Sequence, residues 1–285
     1  MEYKHAIASF LIESTEGPIL VETGPYSTFE HLKAGLKRHR YEPEDIRHVF
    51  LSHIHFDHAG AAWTFARNDA NIYLHPFGVN HMHNPDRLVA SATMIYGDQM
   101  DTLWGKMERI RRENLIVCEH DQIIEIGDQT IRSLHTPGHA KHHTAWQWQD
   151  IIFTGDTAGV KIEGGPVVPP CPPPDISLED WMNSIDIILS KKPNALVLTH
   201  YGEVQNPTIH LQELKEILYD WAYWIKEKWE GGLSNEQITP LFVRYIAKQL
   251  KDKGVSDLGI KQYEVANPSW MSVAGLVRYW KKKLA

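Results

Sequence analysis

The chain has 285 residues, 42% of them hydrophobic, and a formal net charge of −7. This length and apolar content suffice for one large domain, or for one domain with an appendage. The acidic balance and the lack of a basic stripe disfavour nucleic acid as a partner. The only cysteines, Cys118 and Cys171, lie far apart in the sequence, which argues against a disulfide scaffold and favours a reducing compartment.

The N-terminal segment and the longest apolar runs predict neither a secretory leader nor a membrane span. Residues Met1–His5 lack a basic segment followed by a long apolar one. A transmembrane helix needs about 18 or more consecutive apolar residues, and the sequence contains no such stretch. We therefore expect a cytoplasmic protein without a membrane partner.

Predicted strands and helices alternate through the first quarter of the chain. The strands are Ala6–Ile12, Pro18–Glu22, His48–Ser52 and Asn71–His75, and the helices are Ser27–Arg40 and Ala59–Arg67. Open α/β sheets bind ligands at the carboxyl ends of their strands. The residues that follow His48–Ser52 are therefore candidates for a functional site.

The segment 77–118 interrupts this alternation and is rich in methionine and aromatic residues. Its composition predicts a largely helical insertion. Two interpretations remain open for it. The insertion is either a packed helical connection or a cap over the candidate site that shapes a substrate pocket.

Strands resume after the insertion and are followed by a proline-rich loop. The predicted strands are Ile123–Ile126, Thr130–His135, Thr144–Gln149, Ile151–Thr154 and Ala195–Thr199, with a helix at Leu178–Ser190. The loop Val160–Asp175 contains six prolines, whose fixed φ angles stiffen it. We place the end of the catalytic domain, residues 1–205, shortly after the last of these strands.

Residues 206–285 predict a helical C-terminal region. Apolar residues recur at helical spacing in His210–Glu230, Glu236–Leu250 and Ser269–Lys283. The first of these helices carries four aromatic residues, namely Trp221, Tyr223, Trp224 and Trp229. These aromatic side chains pack the helices together, form a homodimer contact, or line a pocket.

The densest chemical signal is the string that follows His48–Ser52. It places four potential metal ligands in six positions, namely His53, His55, Asp57 and His58. Imidazole and carboxylate together suit Zn, Fe or Mn, and the absence of nearby cysteine argues against a purely structural zinc site. The string therefore predicts a catalytic metal centre that takes further ligands from elsewhere in the chain.

Three other predicted strand ends carry a histidine or an aspartate. His139 follows a Thr-Pro-Gly turn, Asp156 follows Thr154-Gly155, and His200 follows the apolar strand Ala195–Thr199. Taken singly, each residue is more typical of an ordinary structural position. Together with the string, they complete a plausible ligand set for a metal centre.

The ordered set resembles that of the metallo-β-lactamase superfamily, over roughly residues 5–205. The resemblance implies a four-layer αββα sandwich, here with a helical C-terminal extension. It also implies two divalent metal ions, most simply Zn, with Fe or Mn as alternatives. The first ion is then held by His53, His55 and His139, the second by Asp57, His58 and His200, and Asp156 bridges them.

The same resemblance implies a hydrolase that uses a metal-bridging hydroxide. The expected substrate is a small ester, thioester or lactone, and Asp57 is the expected catalytic residue that accepts the proton of the nucleophile. Two further residues are candidates for hydrogen bonds to the ligands, Glu22 and His142. The family usually has aspartate where this chain has Glu22, and His142 is also consistent with an ordinary core or surface residue. No substrate-binding residue is identifiable.

Several alternatives within the family remain open. His55 argues against flavodiiron proteins, which have glutamate there, and Thr157-Ala158-Gly159 lacks the tyrosine that lactonases often place after the bridging aspartate. Glyoxalase II resembles the chain in having a helical C-terminal region, although its glutathione-binding positions are not recognisable. The competing functions are a phosphodiester hydrolase, a mononuclear iron persulfide dioxygenase, and a protein that keeps the fold without catalysis.

Overall fold

The computed structural model describes residues 5–162 and 164–285, which form two compact units. The N-terminal unit contains Ala8–His135 and His142–Gln149. The C-terminal unit contains Thr136–Lys141 and Asp150–Ala285, together with the described residues 5–7. Residues 1–4, on which the leader prediction rests in part, and residue 163 of the predicted proline-rich loop lie outside the described residues.

The N-terminal unit contains eight strands and six α-helices among its described residues. They are β1 Phe10–Ile12, β2 Ile19–Val21, α1 Phe29–Arg38, β3 His48–Phe50, α2 Phe56–Ala59, α3 Ala62–Ala66, β4 Asn71–Leu74, α4 Val79–His83, α5 Asp86–Tyr96, α6 Met100–Leu103, β5 Leu115–Val117, β6 Ile123–Ile126, β7 Gln129–His135 and β8 Thr144–Trp148. The first five strands form one sheet in chain order. Strand β1 is antiparallel to β2, and the neighbours from β2 to β5 are parallel.

One face of this five-stranded sheet packs against helices. Val49 and Leu51, at the end of β3, belong to a buried apolar cluster that also contains Leu36 of α1 and Phe65 of α3. Parallel strands are usually covered on both faces, so their sequences are apolar throughout, as in the fully buried β2. The apolar runs that predicted these strands therefore reflect burial on two sides.

The other face of the sheet packs against a second set of strands within the same unit. Phe50 stacks on Tyr73 with ring centroids 4.3 Å apart, and it meets Trp146 of β8 edge-on at 4.9 Å. Strands β6, β7 and β8 are antiparallel neighbours. Because successive side chains of a strand point to opposite faces, Phe50 faces β8 while Val49 and Leu51 face the helices. Helix, sheet and second sheet therefore follow one another as layers in the N-terminal unit.

The C-terminal unit contains three strands and five α-helices among its described residues. They are β9 Ile151–Gly155, α7 Leu178–Ser190, β10 Ala195–Leu198, β11 Gly202–Val204, α8 Pro207–Glu230, α9 Asn235–Asp252, α10 Asp257–Ala266 and α11 Ser269–Lys283. Strands β9 and β10 are parallel, whereas β10 and β11 are antiparallel. The described strands of the chain belong to two sheets, so the expected mixed α/β class is confirmed.

Three elements depart from the sequence-based expectations. Strand β5 lies inside the segment predicted as a helical insertion, and β11 and α10 were not predicted. Strands of three residues are too short to show a period of two. Gly259 near the start of α10 lowers the helix propensity of that segment. The helix is instead stabilised at its N-terminus by the Ser256 hydroxyl, which accepts the Gly259 N–H at 3.1 Å. The domain boundary near residue 205 stays a prediction.

The aromatic residues of α8 pack against its neighbouring helices. Trp221 is buried, meets Phe242 of α9 edge-on at 5.0 Å and donates its indole N–H to Gln249 at 3.1 Å. Trp224 stacks on Tyr245 of α9 at 4.8 Å. Helix packing therefore explains these two side chains, and the homodimer contact stays a prediction. No helix of the described part of the chain is long and apolar enough to span a membrane.

We predict acid-linked unfolding from a buried histidine of the N-terminal unit. His75 packs 4.1 Å from the ring of His135, its Nδ1 accepts the Phe77 N–H, and burial lowers its pKa from 6.5 to about 4. The unfolded chain protonates His75 more readily than the folded chain does. The free energy of unfolding is therefore not reduced by His75 above pH 6.5, and it decreases as the pH falls toward 4. The loss reaches about 3 kcal/mol for a shift of this size.

Substitution His75→Asn keeps an acceptor for the Phe77 N–H and removes the titrating group. Denaturant unfolding at pH 7.0, 5.5 and 4.5 should show a shallower loss of stability in His75→Asn than in the parent. The exposed His81 supplies the control His81→Asn, which should follow the parent. Parallel stability curves for all three proteins would show that His75 does not carry the effect.

Candidate metal centre

The register of β2 and β3 brings the histidine string to the end of the five-stranded sheet. Val21 pairs with Phe50, so the residues that follow both strands leave the sheet side by side. The string then turns into α2, which begins at Phe56, before the predicted helix start at Ala59. Asp57 and His58 therefore lie in the first turn of α2, while His53 and His55 lie in the preceding loop.

The four side chains of the string converge within the N-terminal unit. His53 Nε2 lies 2.9 Å from His55 Nδ1, and the rings of His53 and His58 are 4.0 Å apart between centroids. His58 Nε2 lies 3.8 Å from a carboxylate oxygen of Asp57. Two ring nitrogens at hydrogen-bond distance share either a proton or a cation, because each lone pair otherwise repels the other. The string thus has the arrangement expected of metal ligands.

Glu22 and Ser52 orient two histidines of the string by contacting their Nδ1 atoms. Glu22 accepts the Ser52 backbone N–H at 2.9 Å with one oxygen, and its other oxygen lies 3.2 Å from His58 Nδ1. The Ser52 hydroxyl lies 2.9 Å from His53 Nδ1. Glu22 has φ 64°, a left-handed conformation that is costly for a non-glycine residue and that redirects its side chain. From this backbone conformation Glu22 contacts both Ser52 N and His58 Nδ1.

Two more histidines lie against the string. His143 is buried and stacks on His53 at 4.9 Å, and His142 lies with its ring centroid 5.6 Å from that of His55. His142 is a contact that the sequence predicts, and His143 is its neighbour in the chain. His143 is held beside the string because the N–H of the next residue, Thr144, donates to Ser52 O at 2.7 Å.

The helical insertion also reaches the string. Tyr96, the last residue of α5, meets Trp104 at 5.3 Å between ring centroids, and Trp104 lies 6.1 Å from Phe56. Burial raises the pKa of Tyr96, and the charge of Asp57 raises it further. Part of segment 77–118 therefore packs beside the string, and its two interpretations, a packed connection and a cap, stay predictions.

The three remaining candidate ligands meet within the C-terminal unit. Leu198 of β10 pairs with Gly155 of β9, so Asp156 and His200 follow neighbouring parallel strands. His139 arrives from the turn at Gly138, where φ is 137° and any side chain would collide with the backbone of Trp181. The carboxylate of Asp156 lies 3.3 Å from His139 Nε2 and 3.6 Å from His200 Nε2.

Hydrogen bonds define which nitrogen each histidine offers. His139 Nδ1 lies 2.8 Å from the Pro170 carbonyl oxygen, and His200 Nδ1 lies 2.6 Å from that of Ala6. A carbonyl can only accept, so Nδ1 must carry the proton in both rings. The same holds for His58, whose Nδ1 faces the Glu22 carboxylate. Such partners on the second ring nitrogen are characteristic of metal-binding histidines.

The opposite nitrogens then face carboxylates. Nε2 of His58, His139 and His200 each lies within 4 Å of an aspartate oxygen, at 3.8, 3.3 and 3.6 Å. A neutral imidazole with its proton on Nδ1 points a lone pair from Nε2, which repels a carboxylate unless a proton or cation lies between them. Imidazole and carboxylate donors are those preferred by Zn, Fe and Mn, so the residues present fit such an ion.

The structure thus assembles the candidate ligands into two sets, one in each unit. The N-terminal unit brings together His53, His55, Asp57 and His58, with Glu22 and His142 beside them. The C-terminal unit brings together His139, Asp156 and His200. The carbonyl acceptors of Pro170 and Ala6 are not predictable from the sequence, since a backbone acceptor does not depend on residue type.

Comparison with protein families identifies one match. Residues 4–200 match the model of the family described as the metallo-beta-lactamase superfamily. The matched segment includes all seven candidate ligands and ends at His200. The family resemblance inferred from the ordered ligands is thereby confirmed.

Two curated relatives illustrate the range of similar proteins. The metallo-beta-lactamase fold-containing protein ST1585 of Sulfurisphaera tokodaii is 28% identical over 179 residues, which cover 61% of this chain and 67% of that protein. An N-acyl homoserine lactonase of Bacillus sp is 38% identical over 173 residues. That match covers 53% of this chain and 59% of the lactonase, so the chain spans about three-fifths of the lactonase's length.

Solved structures show the same fold. The metallo-beta-lactamase family protein TTHA1429 of Thermus thermophilus has a TM-score of 0.68 at 16% identity, covering 100% of this chain and 92% of that chain. The crystal structure of ST1585, from Sulfolobus tokodaii, has a TM-score of 0.63 at 23% identity and covers 76% of this chain and 82% of that one. At these identities the likeness concerns the fold alone, and the expected sandwich fold is confirmed.

The contact between Glu22 and His58 predicts a specific effect on metal affinity. In Glu22→Gln one of the two acceptor oxygens becomes a donor, so the side chain can no longer accept from both Ser52 N and His58 Nδ1. We expect about 10–100-fold weaker zinc binding, measured by competition with a chromophoric chelator. The control Glu30→Gln alters a side chain that is 80% exposed and should bind zinc like the parent. Equal zinc affinity in Glu22→Gln would contradict the assigned contact.

Proposed function

Because the chain belongs to the metallo-beta-lactamase superfamily as a metal-dependent hydrolase, we propose that its two ligand sets form one dinuclear centre. This centre hydrolyses a small ester, thioester or lactone. The observation that carries the proposal is the shared orientation of His58, His139 and His200. Each ring donates from Nδ1 to a fixed acceptor and directs Nε2 toward an aspartate.

The proposed centre assigns a role to every member of both sets. His53, His55 and His139 hold the first ion, Asp57, His58 and His200 hold the second, and Asp156 serves both. Asp156 suits a shared ligand because its two oxygens face different histidines, Oδ2 toward His139 and Oδ1 toward His200. Zn is the most natural ion for this donor set, and Fe and Mn are the alternatives.

The chemistry expected of such a centre matches the remaining residues. When bound, a pair of divalent ions supplies a water nucleophile active near neutral pH and polarises the carbonyl under attack. Asp57 accepts the proton of that nucleophile, for which its partial exposure of 22% is suited, whereas the His58 side chain is fully buried. Glu22 and Pro170 keep the protons of the histidines on Nδ1 throughout.

The segment 77–118 and the similar proteins support the proposed substrate class. The aromatic contacts of Tyr96 and Trp104 place apolar surface beside Phe56 and Asp57, which suits the uncharged acyl part of an ester or lactone. N-acyl homoserine lactonases are among the similar proteins, which supports a lactone. The helical tail, in turn, resembles that of glyoxalase II and supports a thioester. A phosphodiester fits the net charge of −7 less well.

Metal content tests the dinuclear proposal directly. Full-length protein purified without chelator should contain about two equivalents of Zn, or of Zn with Fe or Mn, by inductively coupled plasma mass spectrometry. In Asp156→Asn the shared carboxylate is lost, so we expect fewer than two equivalents and about 100-fold lower kcat/KM. The control Asp186→Asn alters an exposed ion pair with Lys215 and should behave like the parent.

One tightly bound iron per chain would overturn the dinuclear assignment. Oxygen uptake with a persulfide substrate would then identify the mononuclear dioxygenase. Two ions without any hydrolysis would instead indicate a metal-binding protein that keeps the fold without catalysis.

A substrate panel tests the proposed reaction. We expect hydrolysis of an aryl ester, a thioester and a γ-lactone to be faster than that of a bis-aryl phosphate. Substitution Asp57→Asn should lower kcat by about 100–10,000-fold, since the proton acceptor is lost. A bis-aryl phosphate as the preferred substrate would establish the phosphodiester hydrolase instead.

A further inference from the structure

The loop that fixes His139 is poorly able to hold itself in place. Its carbonyl at Pro170 accepts the His139 Nδ1–H at 2.8 Å. The segment around it has six prolines, which lack backbone N–H groups and cannot form a regular hydrogen-bond ladder. The described part of the loop has one isolated β-bridge of its own, between Val160 and Val168, and no regular strand. Within the loop the Cys171 thiol, a weak donor, lies 3.7 Å from the Pro169 carbonyl oxygen, so stronger donors to this segment come from outside the loop.

Two buried side chains of the helical tail supply these donors. Tyr263 of α10 donates its hydroxyl to the Pro166 carbonyl at 2.6 Å and accepts the Ile162 N–H at 3.1 Å. Asn267, directly after α10, donates its amide to the Pro169 carbonyl at 3.0 Å. Tyr263 is only 2% exposed and Asn267 only 7%. Pro169 is the neighbour of Pro170, so the second bond acts one peptide unit from the acceptor of His139.

Further contacts rigidify this arrangement. The Ser272 hydroxyl of α11 donates to the Asn267 side-chain oxygen at 3.3 Å, which leaves the amide nitrogen of Asn267 directed at Pro169. At Gly275 of α11 the helix touches the Cys171 carbonyl so closely that any side chain there would collide with it. Burial raises the pKa of Tyr263 to about 12, so its hydroxyl remains a donor at neutral pH. Helices α10 and α11 thus hold Pro166, Pro169 and Cys171.

We propose that Tyr263 and Asn267 are positioning residues that set the affinity of the first metal ion by fixing the Pro170 carbonyl against His139. This inference rests on the proposed function, because it takes His139 as a ligand of that ion. The helical tail then contributes to the metal centre without touching it. The acceptor on the second nitrogen of a ligating histidine commonly changes metal affinity about 10–100-fold when it is lost.

Two near-isosteric substitutions test the proposal in the full-length protein. Asn267→Asp removes the amide donor to Pro169 and Tyr263→Phe removes the hydroxyl donor to Pro166, with little change of volume. In chelator competition, we expect either variant to bind one of the two Zn or Co ions about 10–100-fold more weakly. The affinity for the other ion should be unchanged. The visible absorption of the Co ion bound at that site should also change.

A matched control separates this effect from general destabilisation of the tail. Ser256→Ala removes the hydroxyl that caps α10 and costs about 1 kcal/mol of stability without contacting the loop. It should leave both metal affinities and the Co spectrum unchanged. Parental affinities in Asn267→Asp and Tyr263→Phe, or an equal loss in Ser256→Ala, would overturn the proposal.

A metal-free measurement distinguishes failure of this inference from failure of the proposed function. Histidine ¹⁵N spectra of the metal-free protein report directly which ring nitrogen of His139 carries the proton. The parent and Ser256→Ala should show the Nδ1–H form, and Asn267→Asp should show a mixture of forms. If the parent binds no second ion but Asn267→Asp still alters the His139 proton, the dinuclear function fails and the positioning role stands. An unaltered His139 proton in Asn267→Asp overturns the positioning role whatever the metal content.

Discussion

The hydrogen bond from a histidine Nδ1 to a fixed acceptor is the interaction on which the candidate metal centre depends. It occurs at His58 with Glu22, at His139 with Pro170 and at His200 with Ala6. Each bond selects one tautomer and leaves Nε2 to face a carboxylate. Without these acceptors the imidazoles could rotate or exchange protons, and their Nε2 atoms would no longer be fixed toward the aspartates. The arrangement of the candidate ligands therefore depends on how the loops are held.

The placement of the candidate ligands at strand ends was predictable from the sequence, because apolar strands and the residue types that follow them carry that information. The string His53 to His58 follows a buried strand, and the parallel pairing of β9 with β10 sets Asp156 beside His200. The longer helices α7, α8, α9 and α11 were similarly predictable, since their apolar periodicity extends over several turns. Leu178–Ser190 and Ser269–Lys283 have the predicted bounds.

Other features were not predictable, for identifiable physical reasons. The carbonyl acceptors of His139 and His200 belong to Pro170 and Ala6, whose side chains contribute nothing to the bonds. The three-residue strands β5 and β11 gain their stability from pairing with neighbours rather than from local propensity. Glu22 reaches His58 from a left-handed backbone conformation, which cannot be predicted from the residue type alone.

The proline-rich loop explains why a helical tail is useful to this protein. Proline limits the conformations of the loop, which lowers the entropy lost on ordering it, but it also removes the N–H donors that would fix its carbonyls. An acceptor such as the Pro170 carbonyl is then pre-aligned but loosely anchored unless donors come from another element. Tyr263 and Asn267 supply these donors from buried positions, where a hydrogen bond lacks competition from water. The prolines of the loop and the polar residues buried in the tail thus act together to orient His139.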